Sequence, residues 1–333
     1  MKLILIVDRF DNRSNTPALA DSLAQAAHND QIETSIWDAY RSFGDTSDKI
    51  HRKITGYYAL STKFKRRLRE VTGNLLFFFK PNYLGIDDIV KLQKKGNKCI
   101  WYSGDNPRYP WNITNKNVQA LGRFDERFTV NIPNYYQFFE EKDLSYFTLD
   151  KSALDELTHL EDLGGKVKDL CFVGTATQLR HDYFYQLSNK LEIGTHIYGN
   201  GWKPDKLGAA KTYPSVKRED LSKIFRKYKY NLNLFRLENV DTQNTRLYEL
   251  LLSRAFIITQ KNNFTTKLFG NARFLLDDIS PKSVFDLIQF YERDVEQYEY
   301  DYHKIYANKD INKFKYSSTA KIIIENLKVK YDL

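Results

Sequence analysis

Short continuous apolar runs alternate with longer amphipathic stretches along this chain, and the alternation comes in two series. Lys2-Leu3-Ile4-Leu5-Ile6-Val7 and Leu75 to Lys80 (LLFFFK) are apolar at nearly every position. A strand with helices on both sides of its sheet needs that pattern, because neither face meets water. Around them the spacing predicts a helix over Pro17 to Ala27, with proline in its first turn. Strands are expected at Thr34 to Ala39, Lys98 to Tyr102, Val130 to Pro133 and Leu144 to Leu149, and a helix at Asp87 to Lys95 ending at Gly96. Lys151 to Lys168 is charged, poor in apolar residues and contains Gly164-Gly165, which reads as a connection.

The second series opens at Asp169. Leu170 to Val173 predicts a strand, Gly174-Thr175-Ala176-Thr177 a tight loop, and the stretch through Arg180 to about Lys190 a helix. Thr195 to Tyr198 is a further strand, followed by Gly199-Asn200-Gly201-Trp202. Pro214-Ser215-Val216 and a helix from Arg218 to Lys229 lead to a strand containing Leu232 and Leu234. A helix opening near Thr245, a strand at Ala255 to Thr259, a helix at Phe264 to Phe269 and a strand at Arg273 to Leu276 follow. An interrupted helical tail runs from Ser280-Pro281 through Leu327. The reading is an α/β protein whose strand–helix alternation falls into two halves joined near residues 151 to 168.

Charge narrows the class of partner. A net charge of +9 favours an anionic one: a nucleotide, a nucleic acid or a membrane surface. Lys63, Lys65, Arg66, Arg67 and Arg69 crowd one short segment, either as a solvated helix face or as a contact for lipid head groups or phosphates. Cys99 and Cys171 both fall inside strands and read as buried thiols of a reducing compartment. Met1 leads straight into a strand, and no apolar run nears the ~20 residues of a membrane span. A cytoplasmic protein, peripheral at the inner membrane face, is the expectation.

Candidate chemistry gathers after the strands. The Gly174-Thr175 loop at a helix N-terminus offers amide groups to an anion, and Arg180 adds a positive clamp. It matches neither the GxGxxG fingerprint nor the Walker pattern. The glycines after Tyr198 allow close backbone approach to a ligand. Arg246 and Glu249 share one helix face, either as a phosphate and ribose pair or as a surface ion pair. Asp105 follows a strand, either as a general base or as the residue that fixes a turn before Pro107. Trp202 and Tyr248 read as packing residues. The six histidines are scattered without metal-ligand spacing, and His181 adjoins Arg180 within reach of a phosphate. Asp87-Asp88 and Asp277-Asp278 lack the spacer of a DxD metal motif.

Taken together, several of these segments resemble the CgeB-like branch of GT-B glycosyltransferases. They are Phe172-Val173-Gly174-Thr175 with Arg180, Tyr198-Gly199-Asn200-Gly201-Trp202, Asn233, Thr245-Arg246-Leu247-Tyr248-Glu249 and Phe269 to Asp278. In the first half Ile100-Trp101-Tyr102 followed by Asp105-Asn106-Pro107 fits the same family. A looser similarity reaches the DNA β-glucosyltransferases of T-even bacteriophages. The resemblance implies a GT-B fold of two Rossmann-like doubly wound domains facing across a cleft, residues 1–155 and 156–309, with 310–333 returning to the first, and a nucleotide-sugar donor, a UDP-sugar foremost. It implies Asp105 as base, Arg180 and Arg246 on the diphosphate, and Glu249 on the ribose. Gly174, Thr175, Tyr198, Gly199, Asn200, Asn233 and Thr245 would complete the donor site. No metal and no cofactor beyond the donor are expected. Inversion is favoured, because Asp241 and Glu249 depart from the Glu-x7-Glu pattern of retaining relatives. A cell-surface glycan or lipid-linked saccharide ranks first as acceptor, hydroxymethylated DNA bases second, and a non-catalytic nucleic-acid-binding role last.

Overall fold

Five consecutive buried residues form β1 (Leu3–Val7) and five more form β3 (Leu75–Phe79), and these pair in parallel at the centre of a sheet. The computed structural model describes residues 1–7, 16–39, 60–105, 113–130, 133–158, 166–235, 243–307 and 309–333. Asn106, Pro107, Asp241, His51, His159 and Gly164-Gly165 lie outside them. The chain divides into two units, Met1–Lys151 with Tyr316–Leu333, and Ser152–Lys315.

The first unit holds β2 (Thr34–Asp38), β4 (Lys98–Ser103), β5 (Glu126–Val130) and β6 (Phe147–Leu149) in the parallel order β2-β1-β3-β4-β5-β6. Its helices are α1 (Thr16–Asn29), α2 (Thr62–Glu70), α3 (Ile86–Gln93), α4 (Asn115–Ala120), α5 (Pro133–Glu140) and α12 (Tyr316–Tyr331), the last packed on α1. The numbers between are taken by the second unit. Two expectations are corrected here. The strand ends at Val130, and Pro133, expected inside a strand, instead opens α5, where its missing N–H costs nothing. Leu144 turns back onto Phe139 before β6 begins. Charge hid β5 in the sequence. Arg127 is buried and spends its guanidinium on the carbonyls of Leu121 (2.8 Å), Phe124 (2.8 Å) and Ser145 (3.0 Å). Burial lowers its pKa, while Glu126 and Asp125 oppose that shift.

In the second unit β7 (Val167–Val173), β8 (Thr195–Tyr198), β9 (Lys211–Tyr213), β10 (Tyr228–Asn233), β11 (Ile257–Gln260) and β12 (Leu275–Leu276) form a parallel sheet ordered β12-β11-β10-β7-β8-β9. Read from the other edge this is the 3-2-1-4-5-6 dinucleotide-fold order, with its switch point between β7 and β10. The helices are α6 (Gln178–Ser188), α7 (Leu221–Lys227), α8 (Thr245–Leu252), α9 (Asn263–Phe269), α10 (Pro281–Arg293) and α11 (Val295–Tyr306). The helix expected from Arg218 to Lys229 ends at Lys227, and Tyr228 already belongs to β10. Buried tyrosines at 228 and 230 carry the strand pattern there, and Lys229 between them conceals it. β9, at Lys211–Tyr213, precedes the Pro214 segment and was not expected. Both cysteines are free and buried in strands.

Candidate active site

Helices on the two faces of the second sheet each carry one of the expected arginines, Arg180 on α6 and Arg246 on α8. Asn231, paired with Cys171, donates its amide to the Phe225 carbonyl of α7 at 2.9 Å, so that face of the sheet belongs to α7 and α8. Phe172 points the other way and packs on Phe184 of α6. Arg180, from the first turn of α6, lies over the Phe172 ring at 5.1 Å. Its Nη1 donates to the Thr175 carbonyl (2.8 Å) and its Nη2 to the Leu234 carbonyl just beyond β10 (3.2 Å). Arg180 therefore bridges the exits of the two strands that flank the switch point.

Arg246 arrives from α8. Asn244 caps that helix by accepting from the Leu247 amide at 2.9 Å, and Asn244 is held by the Asn233 carboxamide at 2.8 Å. Asn233 in turn donates to Thr259 of β11 at 3.0 Å. The start of α8 is thus pinned to the ends of β10 and β11. One turn in, Arg246 Nη1 meets Glu249 Oε2 at 2.5 Å and the guanidinium covers the Phe225 ring at 5.2 Å. The approach is close, but Nη1 has no well-angled acceptor among the described residues, so the contact is Coulombic rather than a directed hydrogen bond. Glu249 is nearly buried at 8% side-chain exposure, which rules out the surface ion pair that the sequence left open.

The loops after β7 and β8 are zipped together. Gly174 N–H donates to the Tyr198 carbonyl (2.9 Å) and Ala176 N–H to the Asn200 carbonyl (3.0 Å). These two amides are therefore occupied, which narrows the expected anion cradle to Thr175 and the orphan first-turn amides of α6. Gly199 has φ +151°, and a Cβ there would sit 2.0 Å from the Gly174 carbonyl oxygen. Only glycine lets the two loops approach so closely.

Several expected ligand groups have other work. Tyr198 shares a hydrogen bond with Tyr228 at 2.7 Å and stacks on Tyr213, and burial pushes its phenol pKa up. Asn233 is fully buried and acts through Asn244. Asn200 contributes its carbonyl to the zipper, and Thr245 is the first residue of α8. His181 bonds the Thr177 carbonyl through Nδ1 (3.0 Å) and accepts from the Lys203 amide at Nε2 (3.1 Å). Both ring nitrogens are engaged, so His181 is no phosphate ligand. Trp202 donates to the Gly174 carbonyl at 2.8 Å and packs edge-on against Phe172 and Phe184.

In the first unit Asp105 follows β4 at the carboxyl edge of the sheet. The Lys80 ammonium, at the exit of the neighbouring β3, is salt-bridged to Asp105 Oδ2. Lys80 adopts φ +48°, a conformation unusual for a side-chain-bearing residue. The turn after it is fixed by Asn117, which is fully buried, donates to the Pro81 carbonyl (2.8 Å) and accepts from Trp101 Nε1 (3.1 Å). Lys80 was missed in the sequence, although a lysine directly after LLFFF and before Pro81 occupies the same strand-end position as Asp105.

Residues 180–312 match the family model described as "Glycosyl transferase-like", a segment that contains Arg180, Arg246 and Glu249. No curated protein matches the chain in sequence. Among solved structures, T4 phage β-glucosyltransferase with its UDP-glucose substrate aligns over 100% of both chains, with TM-score 0.59 and 13% identity. Anabaena HepE in complex with UDP and glucose aligns over 99% of each chain, with TM-score 0.62 and 10% identity. Sucrose-phosphate synthase from Thermosynechococcus elongatus covers 100% of this chain and 99% of its own, with TM-score 0.59 and 9% identity. The fold is GT-B. The matching model carries only the general glycosyl transferase-like description and does not single out the CgeB-like branch.

Proposed function

We propose that the protein is a nucleotide-sugar-dependent glycosyltransferase of the CgeB-like kind, using a UDP-sugar and inverting the anomeric centre. The reading is supported by Arg180 held at the exits of β7 and β10, and by the Arg246–Glu249 pair at the start of α8, in a chain with the GT-B fold. Diphosphate oxygens accept from guanidinium N–H groups, and the Glu249 carboxylate accepts from ribose hydroxyls. As the glycosidic bond to the diphosphate breaks, negative charge develops on the leaving oxygens. Fixed guanidinium and amide donors aimed there lower the barrier without a metal ion. Asp105 takes the proton of the acceptor hydroxyl while that oxygen bonds to the anomeric carbon on the face opposite the departing group. One displacement inverts the centre. Lys80 orients the carboxylate for that transfer.

The acceptor in this reading is a cell-surface glycan or a lipid-linked saccharide met at the cytoplasmic side of the membrane. A thermal-shift screen of UDP-, GDP-, CMP- and dTDP-sugars tests the donor step, since a ligand selective for the native state raises the midpoint. One diphosphate is expected to stabilise the protein and Arg246→Ala to abolish the shift; a shift that survives the substitution removes Arg246 from the site. Asp105→Asn is expected to keep the donor shift and lose transfer, and chelation by EDTA to leave turnover unchanged.

A second reading, glycosylation of hydroxymethylated bases in DNA, is favoured by the full-length likeness to a DNA-modifying β-glucosyltransferase. It requires a flipped base and duplex binding that weakens steeply with salt. Transfer of labelled sugar to hydroxymethylated duplex DNA, with none to glycans, would establish it.

A further inference from the structure

The basic helix of the first unit takes no part in the transfer described above. α2 is capped by Ser61, whose hydroxyl accepts from the Phe64 amide at 3.0 Å. Phe64 is buried against Tyr83 with ring centroids 5.6 Å apart, and Leu68 follows it on the inward side. At 3.6 residues per turn, Lys63, Lys65, Arg66, Arg67 and Arg69 then fan over the remaining circumference, roughly 200° of it. Lys63, Lys65, Arg66 and Arg69 are exposed and form no ion pair among the described residues. Lys95 bonds the Arg69 carbonyl and ties the end of α3 to this face, where Lys91, Lys94 and Lys95 are also exposed. Like charges three and four apart weaken a helix. Here the cap and the Phe64 anchor hold α2 against that repulsion, so the charge serves something outside the fold.

We propose that α2 and the carboxyl end of α3 form a docking surface for an anionic phospholipid bilayer. The cations diverge over a convex face rather than lining a groove, so they fit a plane of laterally mobile head groups better than a phosphate row of fixed spacing. Trp37 is covered by Arg67 at 5.3 Å and offers no open stacking platform for an unpaired base. The apolar side of α2 is committed to the core, so adsorption is by charge alone, without insertion. This proposal stands apart from the transfer reading, because the surface holds none of the residues assigned to the reaction.

Flotation with vesicles of phosphatidylcholine alone, or with phosphatidylglycerol added, tests it on the full chain. The protein is expected to float only with the anionic vesicles and to be released at high salt. Lys63→Gln, Lys65→Gln, Arg66→Gln and Arg69→Gln combined, with Arg67 kept on Trp37, should reduce vesicle binding at least about tenfold. The variant's thermal midpoint and donor-induced shift should match the parent, which separates lost docking from lost folding. A control that neutralises Lys190, Lys206 and Lys211, exposed in the second unit, should float like the parent. Undiminished flotation of the quadruple variant, flotation with neutral vesicles, or tight duplex DNA binding without vesicle binding would each overturn the proposal.

Discussion

At the scale of single residues, the proposed chemistry depends on how charges are held. Lys80 has an unusual backbone conformation and a buried clamp at Asn117, and both serve to place its ammonium on Asp105. Lys80→Met should slow transfer by about ten- to a hundredfold through misplacement of the carboxylate, while the donor-induced thermal shift stays. Unchanged turnover in steady-state assays would show that Asp105 needs no such partner. Glu249→Ala should cost about 2–4 kcal/mol in urea denaturation, because it strands a guanidinium that is itself only 24% exposed. In the sequence Asp105 is marked by the apolar strand before it, Arg180 by the glycine loop that opens its helix, and Arg246 and Glu249 by their shared helix face. The support beneath them is not. Leu234 contributes a carbonyl, which carries no sequence signature, and Asn233 acts through Asn244, eleven positions away, by a side-chain contact that no local pattern records.

Elements show the same division. Strands buried on both faces, such as β1 and β3, announced themselves, whereas β5 and the start of β10 were hidden by Arg127 and by Lys229 between buried tyrosines. In both cases the polar group is satisfied by tertiary partners that no local pattern contains: three carbonyls for Arg127, and Glu292 at 2.7 Å for Lys229. The loops after β7 and β8 give a sharper test. Gly199 and Gly201 both have positive φ, but an added Cβ meets a carbonyl oxygen at 2.0 Å in the first and only the Ala176 methyl at 3.5 Å in the second. Gly201→Ala should cost about 1 kcal/mol from backbone strain alone. Gly199→Ala should cost more than about 3 kcal/mol and disrupt donor binding, because two main chains must separate. Equal midpoints for the two variants would mean the zipper is looser than its distances indicate.

For the whole molecule, one thiol sits in each unit, Cys99 in the first and Cys171 in the second. Burial pushes both pKa values upward, so neither is expected to form thiolate across the ordinary thiol range near pH 8.5. Native protein should react slowly with an aromatic disulfide reagent through pH 9, and denaturant should release each thiol as its own unit opens. Mass-resolved labelling would show whether the units open together or in turn; rapid labelling without denaturant would contradict the burial. The first unit also has an unusual dependence on chain order. Its α1 is covered by α12, with Lys328 on Asp30 at 3.0 Å and Lys330 on Glu126. During synthesis the ribosome must deliver the whole second unit before that covering helix emerges. The half made first is therefore the last to be finished, and until then it exposes an unshielded apolar flank that a chaperone would have to guard.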